Sequence, residues 1–168
     1  PYKASELEVI GSTKASGAVV SRGMVIASEQ EMKSGTESNL SLEHVGKYFP
    51  LVAKPTTVKG TDDKKVVELG FSNQFTLATL GIRNSTSSEI TVTGFDWSIP
   101  GTPMTGSFTV DLTDIEAAPQ AGDNPVDKVT VSFSDKPTVA VGDKVYGVAV
   151  IAPCKQNKIS LTVHTTKG

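Results

Sequence analysis

Apolar and polar residues alternate with a period of two along much of the chain. The cleanest stretch is Lys128–Phe133, where Val129, Val131 and Phe133 share one face and Lys128, Thr130 and Ser132 the other. Lys158–His164 repeats the design, with Ile159, Leu161 and Val163 expected inward and Ser160, Thr162 and His164 outward. Such alternation predicts strands of a sheet with one solvated face. Further strands are expected over Glu6–Ile10, Ala18–Ala27, Val66–Phe71, Phe75–Arg83, Glu89–Ile99, Ser107–Leu112 and Pro137–Val141. Lys144–Ala152 (KVYGVAVIA) is apolar on both faces and predicts a central strand covered on both sides.

The breaks carry turn chemistry at Asn84–Ser88, Pro100–Pro103, Gly122–Pro125 and Val141–Asp143. Ser28–Lys47 breaks the pattern, being polar and irregular, with a short helix expected near Ser41–Lys47. Thr113–Asp127 reads as a long surface loop. Short strands with frequent turns predict an all-β protein, a Greek-key β-sandwich of transthyretin-like or immunoglobulin-like type. The expected organisation is an N-terminal strand segment or arm over residues 1–27 and one sandwich domain over 28–168.

Composition agrees with that reading. Valine and threonine supply 39 of the 168 residues, and β-branched side chains suit a pleated, half-buried surface. The net charge is −2, which argues against a nucleic-acid partner, since such domains usually carry a basic stripe. No run reaches the roughly 20 apolar residues of a membrane-spanning helix. One cysteine, Cys154, rules out an internal disulfide. The chain opens at Pro1 without a charged or apolar leader, so a removed leader or a trimmed chain is expected.

Candidate chemistry is sparse. No G-x-S-x-G elbow occurs, and the two histidines, His44 and His164, read as a residue of the irregular region and a solvated strand residue. Cys154 reads as an inert thiol. Two histidines and one cysteine cannot build a zinc site. The pairs Asp62–Asp63, Asp111 with Asp114 and Asp123 with Asp127 match no calcium loop. Glu68, Glu89 and Asp96 offer carboxylates for glycoside hydrolysis, as strands of most β-proteins do. No catalytic residue, cofactor or metal is therefore expected. Phe95 and Trp97 fall on one side of a strand and are candidates for a glycan platform, although large aromatics mostly fill sandwich cores. Asn39–Ser41 and Asn84–Thr86 match glycosylation sequons.

Taken together, these segments resemble the fimbrillin family of the Bacteroidetes. FSNQFTLATLGIRN (Phe71–Asn84) is similar to the family's aromatic-led strand of the form L-A-x-L-x-I. GSFTVDL (Gly106–Leu112) is similar to its G-x-F-x-x-D stretch, and VYGVAVIAP (Val145–Pro153) to its apolar strand closing in proline. ISLTVHT (Ile159–Thr165) follows in the family's order, and the resemblance spans roughly residues 45–168. Asn73 replaces a histidine often found in the family, and the usual second sandwich does not follow Gly168, so an N-terminal-domain-like chain is implied.

The resemblance implies a non-catalytic pilus subunit or anchor in fimbriae at the bacterial outer membrane surface. It would be exported as a lipoprotein, meet the membrane only through a lipid anchor absent from this chain, and assemble by donor-strand exchange. Its expected partners are other pilin subunits, with host or bacterial surface ligands and glycans as further candidates. The family is often cut after an arginine near the N-terminus, which here implies processing between Arg22 and Gly23. The alternative is a surface carbohydrate-binding β-sandwich module using Phe95 and Trp97.

Overall fold

The computed structural model describes residues 21–53, 59–61, 64–66, 68, 70–155 and 158–166. The expected strand Glu6–Ile10 and the pair Asp62–Asp63 lie outside the described residues. What is described is nearly all β, with several antiparallel sheets.

The largest sheet is built on β8 (Ile90–Ser98). On one side β8 pairs antiparallel with β11 (Lys128–Phe133), which pairs parallel with β2 (Glu29–Met32). On its other side β8 pairs with β14 (Ser160–Thr165), and its first residues pair with β12 (Thr138–Val139). Facing this sheet is an eight-residue ladder between β7 (Thr76–Arg83) and β13 (Lys144–Ile151). A third sheet, β1 (Ser21–Ile26), β9 (Thr105–Asp111) and β10 (Gln120–Val126), continues beyond the end of β13, where the Ala152 N–H donates to the Met104 carbonyl at 2.7 Å. Two small pairs, β3 (Leu51–Ala53) with β6 (Phe71–Asn73) and β4 (Lys59–Thr61) with β5 (Lys64–Val66), and one helical turn, α1 (Val45–Tyr48), complete it.

The main core forms where β8 and β11 face β7 and β13. Phe95, Trp97, Val129, Val131 and Phe133 meet Ala78, Ile82, Val145 and Val148 there. A second cluster, including Ile26, Phe108, Val110 and Val150, sits under the third sheet. Strict alternation would send Val92 and Phe95 to opposite faces of β8. They both enter the core because β8 carries an extra residue: His164 pairs with Gly94 but Thr165 pairs with Val92. Gly94 makes the bulge possible, since a Cβ there would run into the Val131 carbonyl.

Several expected strands occur close to their predicted bounds: β11 coincides with its prediction, and β7, β8, β9 and β13 differ from theirs by one or two residues at an end. Four expectations need correction. Thr113–Asp127 is not all loop, because its second half is β10, and Gly122–Pro125 is an irregularity in that strand's pairing rather than a plain turn. Proline is tolerated there because a bulged border strand need not use every N–H. Ser28–Lys47 contains β2, whose Gln30 and Met32 are buried while Glu29 and Glu31 are exposed. Val66–Phe71 is not one strand, since Val66 ends β5 and Phe71 begins β6. Ile159 and Leu161, expected inward, are 49% and 42% exposed; on β14 it is Val163 that packs partly against the core.

Candidate functional site

The borders of the sheets are where this fold has unused bonding capacity. Among the described residues β7 pairs only with β13, and β14 only with β8. Both strands lack proline, and His164 is the one ionisable side chain in the interior of either. They therefore lack the usual devices that discourage a further strand. Leu161 faces the same way as Trp97, its register partner, but stays 42% exposed, so the apolar face is incompletely covered at this border.

At the opposite side the outer edge of β13 is closed without a strand. The amide of Gln30 reaches across from β2, donating to the Val150 carbonyl at 2.8 Å and accepting from the Val150 N–H at 2.9 Å. One turn of the ladder away, the Val148 N–H points at Met32 Sδ (3.1 Å) and the Val148 carbonyl at His44 Nε2 (3.0 Å). Gly35 then exchanges two backbone bonds with Tyr146, at 2.9 and 3.0 Å. Two side chains of β2 and the strap that follows it, residues 33–48, thus occupy the outward groups of three alternate residues of β13. This region was not foreseen from sequence; its signal was the inward pair Gln30 and Met32 in an otherwise acidic stretch.

The processing candidate lies in β1, a border strand of the third sheet. Arg22 pairs with Val110 and Gly23 with Thr109, so residues 21–26 are part of the sheet rather than a free arm. Ser21, Arg22 and Gly23 are exposed.

The other candidates are scattered. Asp96 lies on the outer face of β8, accepting a bond from Thr130 Oγ1 at 2.8 Å, with Lys128 Nζ and His164 Nε2 at 3.4 and 3.5 Å. Partial burial pushes its carboxyl up, but the Thr130 hydroxyl, Lys128 and His164 together hold it below the usual carboxylate range. It is therefore an anion at neutral pH and unsuited to a general acid. Thr130 bonds to the carboxylate and not to the imidazole, so the trio does not have nucleophile-base geometry. Glu89 precedes β8, and the seven residue steps from it to Asp96, at about 3.3 Å each, put roughly 23 Å between them. That exceeds the spacing of either glycosidase geometry. Glu68 is exposed.

Among the described residues no three His, Cys, Asp or Glu side chains converge on a metal site. Asp111 and Asp114 cap their own turns, accepting from the N–H groups of Thr113 and Glu116, and Asp127 accepts from the Gly101 N–H of a turn remote in sequence. Burial pushes the Cys154 thiol up, as expected of an unreactive cysteine. The Asn84 sequon is corrected: its side chain is buried and donates to the carbonyls of Ser88 and Val139, both at 2.9 Å, leaving no accessible amide to modify.

The glycan platform is corrected too. Phe95 is fully buried and Trp97 is 6% exposed, so neither ring has a face to offer a sugar. Trp97 is the chain's sole tryptophan. Its emission is expected at short wavelength, shielded from acrylamide and unchanged by added glycans. A glycan-dependent shift would show that β8 opens this face.

The chain matches no family model, no curated protein and no solved structure.

Proposed function

We propose that this protein is a non-catalytic structural or adhesive subunit of a bacterial cell surface, a fimbrillin-like pilus subunit or anchor, joined to its neighbours by β-strand addition. The supporting observation is the open border of the sandwich, where β7 and β14 have no strand neighbour among the described residues and Leu161 stands half uncovered. An added strand would satisfy the unpaired backbone groups of a border and place alternate side chains on that apolar surface. The partners under this reading are further subunits of the same kind, and the location is the outer membrane surface or the fimbriae beyond it.

Processing at Arg22 belongs to the same reading. Cutting after Arg22 requires β1, a border strand among the described residues, to open locally where Arg22 and Gly23 pair with Val110 and Thr109. Arg83, the other arginine, lies in the β7–β13 ladder, with its Nε donating to the Gly142 carbonyl at 3.1 Å. An arginine-specific protease is therefore expected to cut after Arg22 well before Arg83, giving a new N-terminus at Gly23. Size-exclusion chromatography with light scattering, before and after that cut, is the test. Conversion of a monomer into a ladder of oligomers supports strand-exchange assembly, and a folded monomer that stays monomeric refutes it.

A further inference from the structure

His44 is the one ionisable side chain among the buried polar residues described, the others being Gln30, Gln74, Asn84 and Thr105. It is 8% exposed, and it contributes the imidazole bond that holds the strap at the middle of the outer edge of β13. A carbonyl can only accept, so Nε2 carries the hydrogen donated to Val148. In the neutral ring Nδ1 is then a bare acceptor, and it is buried with no partner. Protonation would place a second N–H at that nitrogen with nothing to receive it, at the cost of a charged, unsatisfied group in the interior.

The surroundings offer the charged ring no compensation. From α1, the Tyr48 ring is tilted against His44 at 6.2 Å, and Lys47 lies 5.0 Å over that same ring. Glu43, the adjacent residue, is exposed and engaged with Lys33 at 3.4 Å. From β2, the inward side chains are the neutral Gln30 and Met32, while Glu29 and Glu31 are exposed. Along β13 the ionisable groups are Tyr146 and Lys144, the latter 3.8 Å from Glu37. Among the described residues no carboxylate pairs with the imidazole.

We propose that His44 is a pH-sensitive latch, which holds the residue 33–48 strap on the outer edge of β13 when neutral and releases it when protonated. Burial holds the imidazole below its ordinary range in the closed arrangement, with the Val148 bond opposing that only in part. An open strap exposes the ring to water and restores ordinary basicity. The open form therefore binds more protons, and the closing free energy, complete above the ordinary histidine range, declines as pH falls through it. Release frees the Val148 carbonyl and the Tyr146 groups that Gly35 holds, opening that stretch of the β13 edge to another strand while Gln30 and Met32 of β2 stay in place. The latch is independent of the assembly reading, since it concerns the strap alone.

The test is amide hydrogen exchange on the full chain at pH 7.5 and pH 5.0, corrected for intrinsic rates, in the parent, His44→Gln and His164→Gln. A glutamine amide can donate to the Val148 carbonyl but does not titrate. Protection over residues 33–48 and at the outward Tyr146 amide, which bonds to Gly35, is expected to fall about tenfold more than in β8 and β11 at the lower pH. That selective loss should persist in His164→Gln and vanish in His44→Gln. A loss spread evenly over β8 and β11, no selective loss, or one that survives His44→Gln overturns the proposal. Imidazole NMR titration of the parent, which has only two histidines, decides the matter if His44→Gln does not fold. His44 must titrate together with the amide loss, and titration at an ordinary pH with the strap still protected refutes the latch.

Discussion

Gln30→Ala is expected to lower stability by about 2–5 kcal/mol, because truncation strands the N–H and the carbonyl of Val150 together in the interior. Gln30 is 2% exposed, and its amide also donates to the Ala27 carbonyl at 3.0 Å, so the side chain joins the start of β2 to β13. A loss of that size is a large share of the roughly 5–15 kcal/mol that holds a typical domain together. Urea unfolding should show a lower midpoint with an unchanged slope. Gln30→Glu should be no better, since a carboxylate accepts from the Val150 N–H but cannot donate to its carbonyl and brings a charge into the core. A loss under about 1 kcal/mol would mean that water or another side chain replaces the amide.

Gly94→Ala is the second large effect, expected to cost about 3 kcal/mol or more, or to prevent folding. The new methyl would press on the Val131 carbonyl and come within 3.1 Å of Ser132 Cα, both backbone atoms of the paired central strand. Neither can yield without breaking the β8–β11 ladder. Gly23→Ala is the matched control, because a Cβ there meets nothing within 4 Å. Thermal and urea unfolding of the two variants side by side should show Gly23→Ala near the parent and Gly94→Ala far below it. Similar midpoints for Gly94→Ala and the parent would show that the bulge relocates.

How much of this was legible in the sequence follows from where the periodicity is undisturbed. Lys128–Phe133 pairs on both edges with one face solvated, so alternation reports its fate directly. Lys144–Ala152 announced cover on both faces, which β13 has, yet its composition said nothing about its edges. A run of apolar residues looks the same whether a strand or three side chains occupy its outer hydrogen bonds. Glu29–Met32 was obscure for the opposite reason: two carboxylates and an amide in four residues read as surface, although Gln30 is among the most buried polar groups described. In β10, the glycine, asparagine and proline that signal a turn instead accommodate a bulge against Gly106, whose φ is +94° and where a Cβ would run into the Asn124 carbonyl.

For the site, residue type was a poor guide without neighbours. Phe95 and Trp97 are legible mainly as core, with a platform as the alternative, and their burial opposite β7 and β13 decides for the core. His44 read as an incidental histidine because its partner, the Val148 carbonyl, is 104 residues away and is a backbone atom that no motif records.

The same distance sets a timetable for folding. Gln30 meets Val150 across 120 residues, and β2 pairs with β11 across about 100, so β2 has no lasting partner until most of these 168 residues exist. Pairings this remote in sequence carry a large loop-closure entropy and form late. On an emerging chain β2 would wait until β8 and β11 are made, and Gln30 longer still, for β13. A nascent chain of this protein is thus a natural client for holding chaperones, and its first vulnerability is arrival order rather than final stability.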